Sequence, residues 1–164
     1  MSILAAYSVP HPPLIIPAIG AGREQEIEAT VRAYHETMRA VAELRPDTVV
    51  IISPHATAYD DFFHISPGEA AEGNFAAFGH PEITVGIEYD VEFVRALSAA
   101  AGARDIPAGT LGERAAALDH GVMIPLFFLS EYLGDAPTKF VRIGISGLSA
   151  HTHAMLGQAI AAAA

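Results

Sequence analysis

The segment Asp47–Ser53 constrains the fold of this chain more than any other. It contains Val49-Val50-Ile51-Ile52 in succession, with no polar residue alternating between them. A strand with one face in water needs that alternation. A strand covered on both faces does not, and the parallel strands of α/β proteins are of this second kind. The preceding segment supplies one cover. Between Glu24 and Leu44, the residues Ile27, Val31, Tyr34, Met38 and Val41 fall at spacings of four, three, four and three, which draws one apolar stripe on a helix. Acidic residues crowd its first turns, where they suit the macrodipole, and Pro46 ends it. Ile3–Val9 is short, apolar and closed by Pro10, so it reads as another buried strand. Residues 3–53 therefore predict strand, helix, strand, joined by a right-handed crossover.

The rest of the chain continues in the same style. Pro10–Gly22 is a Pro/Gly-rich loop, Phe62–Ser66 a short strand, Pro67–Gly79 a Gly/Ala-rich loop and Ile83–Ile87 a strand. Val91–Ala101 is helical, with Val91, Val94 and Leu97 on one face. Val122–Leu133 reads as a buried helix that tolerates Pro125 near its start. Phe140–Ser146 is a further apolar strand, and Thr152–Ala164 an Ala-rich helix. The expected fold is one α/β domain over residues 1–164: three layers, with a mostly parallel central sheet and helices on both faces. With 164 residues, 51% hydrophobic and 17% charged, the chain can bury a substantial core and is not of the disordered class. Nine Lys+Arg against 19 Asp+Glu leave a net charge of -10, which repels phosphate backbones and argues against nucleic acid as a partner. No apolar run approaches the roughly 20 residues of a membrane helix. Nothing at the N-terminus reads as a targeting signal, so no membrane association and a cytoplasmic location are expected.

The chain has no cysteine, which removes disulfides, thiolate zinc sites and a Cys nucleophile together. Interest falls on eight histidines. Four places put histidine at the end of a predicted element: Ser8-Val9-Pro10-His11, Ser53-Pro54-His55, Leu118-Asp119-His120-Gly121, and the stretch holding His151 and His153 beyond the strand from Phe140. Loops past the carboxyl ends of parallel strands converge on one crevice, so residues distant in sequence can line one pocket. Proline after a strand stops the ladder and stiffens the loop that carries a ligand. Neutral imidazole binds iron, zinc and copper, and histidine also serves as a base near neutral pH. His11 and His55 are the candidate metal ligands. His120 and His153 are candidates for substrate binding and proton transfer, and Asp119 is placed to orient a neighbouring imidazole. His35 within a helix, His64 within the short strand and His80 before Pro81 receive no role. No phosphate-binding glycine motif and no nucleophile elbow occurs.

These motifs resemble those of the class III extradiol dioxygenase superfamily, the LigB-like proteins, and among them most the Memo-like domain of the AmmeMemoRadiSam system. The carrying stretches are Tyr7–Pro13, Val50–His55, Leu118–Leu126 and Ile145–Ser149 followed by His153 and Leu156-Gly157, in order along nearly the whole chain. The resemblance implies a non-heme Fe(II)-dependent extradiol ring-cleavage dioxygenase acting on a small catechol-type aromatic and O2, with Zn or another divalent metal as the alternative cofactor. It implies that His11 and His55 hold the metal, that His120 is catalytic and close to substrate, and that His153 is the catalytic base. His151, a substrate-binding candidate, competes with His153 for the role of base. The family's third ligand is a Glu well downstream of the catalytic histidine, and no residue here matches it. The chain is therefore expected to lack the C-terminal part of the family domain, and apolar surface left uncovered would favour a homo-oligomer. A different class of function stands beside the enzyme: a non-catalytic Memo-like metal-binding or interaction module. A metal hydrolase using a bound water is the third reading.

Overall fold

The computed structural model describes residues 2–135 and 137–164. Along the chain the helices are α1 (Pro17–Gly20), α2 (Glu28–Glu43), α3 (Val91–Gly102), α4 (His120–Leu133) and α5 (Ala150–Ala163). The strands are β1 (Thr48–Ser53), β2 (Phe63–His64), β3 (Ala70–Phe75), β4 (His80–Glu88), β5 (Ala108–Gly109) and β6 (Lys139–Gly144). Short 3-10 turns occupy Pro13–Ile15, Arg23–Ile27 and Ala76–Phe78.

The Val-Val-Ile-Ile run behaves as its composition requires. β1 pairs in parallel with β6, in a register that sets Thr48 against Lys139 and Ser53 against Gly144. Val49 and Ile51 enter one apolar cluster, with Tyr34 and Met38 of α2 and Val122, Leu126 and Leu129 of α4. Val50 enters the other, with Val94 and Leu97 of α3 and Leu156 and Ala159 of α5. Successive residues of a strand point to opposite faces, so β1 is covered on both as far as Ile51, Ile52 near its end being exposed, and the layers are helix, sheet, helix. β6 carries further pairings: Ile143 bridges Ile65 beyond β2, and Phe140 bridges Tyr89 beyond β4. β2 and β5 are parallel, whereas β3 and β4 form an antiparallel hairpin. The fold is α/β with mostly parallel pairing, as expected from the sequence.

Three differences from the sequence reading are instructive. Ile3–Val9 forms no strand. It runs unpaired, with Ile3, Leu4 and Tyr7 each about half exposed, and only Val9 reaches the core. An apolar stretch becomes a strand only when a neighbour completes its ladder, and no described residue does so here. Conversely, Ala70–Phe75 falls in the expected loop and yet is a strand. Its residues have little β propensity, but pairing with the nine-residue β4 fixes them as extended chain. The long helix also begins later than its apolar stripe suggests, because Arg23–Ile27 forms a 3-10 turn before α2. Among the described residues, no helix is long and apolar enough to cross a membrane.

Candidate metal centre

Three elements each deliver one imidazole to the same place. His55 leaves the carboxyl end of β1, and its backbone N–H donates to Ser53 Oγ at 3.1 Å. His120 is the first residue of α4, whose N-cap is Asp119; the Asp119 carboxylate accepts from the Val122 N–H at 3.2 Å. This cap satisfies a helix-end donor that would otherwise lack a partner. His11 arrives on a segment stiffened by Pro10, Pro12 and Pro13 and pinned by the Tyr34 hydroxyl, which donates to the Pro10 carbonyl.

A buried hydrogen bond ties two of these elements together. Ser53 is wholly buried and donates to Asp119 Oδ1 at 2.5 Å. The end of β1 and the start of α4 are thus fixed against each other. Gly121 is what permits the approach. A Cβ there would lie 2.6 Å from Ser53 Oγ and 3.2 Å from His55 Cδ2.

The ring nitrogens converge. His11 Nε2 and His55 Nε2 are 3.0 Å apart, and one nitrogen from each of His11, His55 and His120 lies within 4.8 Å of the others. Imidazole nitrogens about 2.0–2.1 Å from a shared ion stand roughly 3 Å apart when adjacent in its coordination sphere. The donor set therefore fits a divalent transition metal. His120 is held below the ordinary imidazole range, first by burial and then by the neighbouring His55 and His11, with Asp119 acting in the opposite sense. That favours the neutral ring, which is the form that ligates. Asp119 Oδ2 is buried with no partner among the described residues, which leaves an unmatched acceptor next to His120.

His11, His55 and His120 are thus brought together. The nitrogen donors in the cluster number three, all imidazole, and no carboxylate belongs to it among the described residues. His153 is placed differently. Its ring packs edge-on against Phe63 at 4.7 Å, and its Nδ1 faces the Ser149 carbonyl at 3.0 Å. His151 lies exposed in the first turn of α5. No ring contact or hydrogen bond joins either to the cluster among the described residues. Phe78 carried no signal in the sequence, yet the tip of the β3–β4 hairpin sets its ring 5.5 Å from that of His120. Only the hairpin's antiparallel pairing, absent from the expected loop, brings it there.

The chain is 28% identical over 156 residues to Protein CA_C1420 of Clostridium acetobutylicum, a match that covers 91% of this chain and 33% of that protein. The chain therefore spans about a third of the length of the curated relative it matches. Residues 5–164 match the family described as the catalytic LigB subunit of aromatic ring-opening dioxygenase, and the chain belongs to that family.

Proposed function

We propose that this chain is a non-heme Fe(II)-dependent extradiol dioxygenase-like protein that opens a catechol-type aromatic ring with O2 in the cytoplasm. The convergence of His11, His55 and His120 carries the reading. Bound there, Fe(II) would supply Lewis acidity and gather both reactants at one point. The protein's own part follows from its side chains. The edge-on Phe78 ring offers an apolar wall to a flat aromatic. His153 is the proposed base. With Nδ1 donating to the Ser149 carbonyl, Nε2 is the nitrogen left to take a proton from a phenolic hydroxyl. His151, two residues earlier on α5, is the alternative. A net charge of -10 favours accumulation of a divalent cation.

A second reading has its own observation. Two His and one carboxylate make the iron oxygenase set, whereas three imidazoles also match catalytic zinc sites. The all-imidazole cluster therefore favours, as the rival, a Memo-like metal-binding module without oxygen chemistry, with Zn or another divalent ion in place of iron. Anaerobic loading of wild type, His11→Ala and His55→Ala with Fe(II), followed by O2 uptake on a panel of catechols, separates the two. Iron bound by wild type but not by the variants, with ring-opened product, supports the dioxygenase. Metal held without O2 uptake on any catechol supports the module. Wild type that holds no metal removes both. The exposed Ile3, Leu4, Tyr7, Ile52 and Ile145 are the proposed contact of a homo-oligomer, which sedimentation of the purified chain would reveal.

A further inference from the structure

Away from the imidazole cluster the protein buries a second set of charges that the proposed chemistry does not use. Arg142 of β6 is 1% exposed. It donates from Nε to Ser66 Oγ at 2.7 Å, from Nη1 to the Ala117 carbonyl at 2.8 Å, and from Nη2 to the Ala115 carbonyl at 2.7 Å and Glu113 Oε2 at 3.4 Å. Glu113 also accepts from the Thr57 hydroxyl and from the Ala115 N–H, both at 2.8 Å. His64 is wholly buried. Its Nδ1 faces the Leu111 carbonyl at 3.0 Å, and its Nε2 faces the Glu113 carboxylate at 3.1 Å. A carbonyl and a carboxylate are acceptors, so His64 meets an acceptor at each ring nitrogen.

These contacts share a destination. All but the Arg142–Ser66 bond end on residues 111–117, a segment with no helix or strand. The chain then passes straight to Leu118, whose N–H donates to the Glu72 carbonyl at 3.1 Å, to the cap Asp119, and to His120. Thr57, held by the same Glu113, lies two residues past His55. Glu113 therefore joins the segment leading into His120 to the segment leaving His55. We propose that His64, Glu113 and Arg142 form a positioning network that sets His120 and His55 in register as ligands of one metal ion. The proposal rests on the metal-centre reading above. Breaking one member leaves a buried charge without its partner, and the freed loop no longer fixes where α4 begins.

Co(II), whose visible bands report its ligand geometry, is the probe. In Glu113→Gln the amide cannot accept on both sides of the old carboxylate. In Arg142→Lys one ammonium cannot reach Ser66, Ala115 and Ala117 together. Both variants should bind Co(II) roughly tenfold more weakly, as loss of an outer-shell partner does, with altered band intensities. Amide exchange at Ala115 and Leu118 should accelerate. Thr57→Val, which removes only the link to the His55 segment, should shift affinity in the same direction if the larger changes prevent folding. Val94→Ala, in the opposite core cluster, should leave the Co(II) affinity and spectrum as in wild type even where its thermal stability falls as far. Variants whose loop exchange rises while Co(II) affinity and bands stay at wild-type values would overturn the network's role and leave the metal centre standing. Absence of Co(II) binding by wild type would remove the metal centre and this proposal with it.

Discussion

Acid should weaken the protein through Glu113 over a defined range of pH. Burial alone would raise this carboxyl, but the Ala115 N–H, His64 and Thr57 outweigh it and lower the group from its ordinary 4.5 to about 2. Its side chain is only 18% exposed, so solvent screens these contacts little. A carboxyl depressed in the folded state stabilises that state fully above its unfolded value and loses the contribution as pH falls through the folded one. A change from 4.5 to about 2 corresponds to about 3 kcal/mol at pH 7 and about 1 kcal/mol near pH 3. Urea denaturation of wild type and Glu113→Gln at a series of pH values measures it. Gln cannot titrate, so the stability gap between the two proteins should narrow by about 2 kcal/mol between pH 7 and pH 3. Any fixed cost of the amide drops out of that slope. A gap that stays constant across this range would refute the view that the ionised carboxylate holds the loop.

Other outcomes follow from the same contacts. Metal affinity should rise with pH and level off near neutrality, since protons compete for the imidazole nitrogens; titrations with Zn(II) at pH 5, 6 and 7 would show it. Gly121→Ala places a methyl 2.6 Å from Ser53 Oγ and should cost about 1–3 kcal/mol while weakening metal binding, read by thermal melts and equilibrium dialysis. Asp119→Ala removes the cap of α4 and the partner of buried Ser53, and should cost about 1–2 kcal/mol by denaturant titration. Leu97→Ala hollows the α3–α5 cluster at a fully buried position; a loss of about 2–5 kcal/mol with unchanged metal affinity is expected.

Much of the architecture was legible before any coordinates. The apolar run in β1 announced a strand covered on both faces, the stripe from Ile27 to Val41 announced α2, and α3, α4, β6 and α5 all lie where their patterns put them. Ile3–Val9 shows the limit of such patterns. Apolar character names a segment that would gain from burial, but pairing depends on which edge is within reach. Ala70–Phe75 shows the converse, a weak strand made by its partner.

The candidate site divides along the same line. Histidine beside proline marked His11 and His55 as candidate ligands; for His55 the expected strand end is there, whereas His11 is carried by a Pro-rich segment with no strand before it. The same reading gave His120 a different role, and its approach to them rests on the Ser53–Asp119 bond and the bare backbone of Gly121. His64 was given no role, and nothing local could have supplied one. Its partners Leu111 and Glu113 lie 47 and 49 positions away along the chain, and Arg142 comes from a different strand. Local pattern is enough to place an imidazole at an element's end, since that depends on hydrophobic period and on proline. Which imidazoles share a point in space, and which buried charges hold them there, depends on contacts between distant segments, and those exist only once the layers have packed.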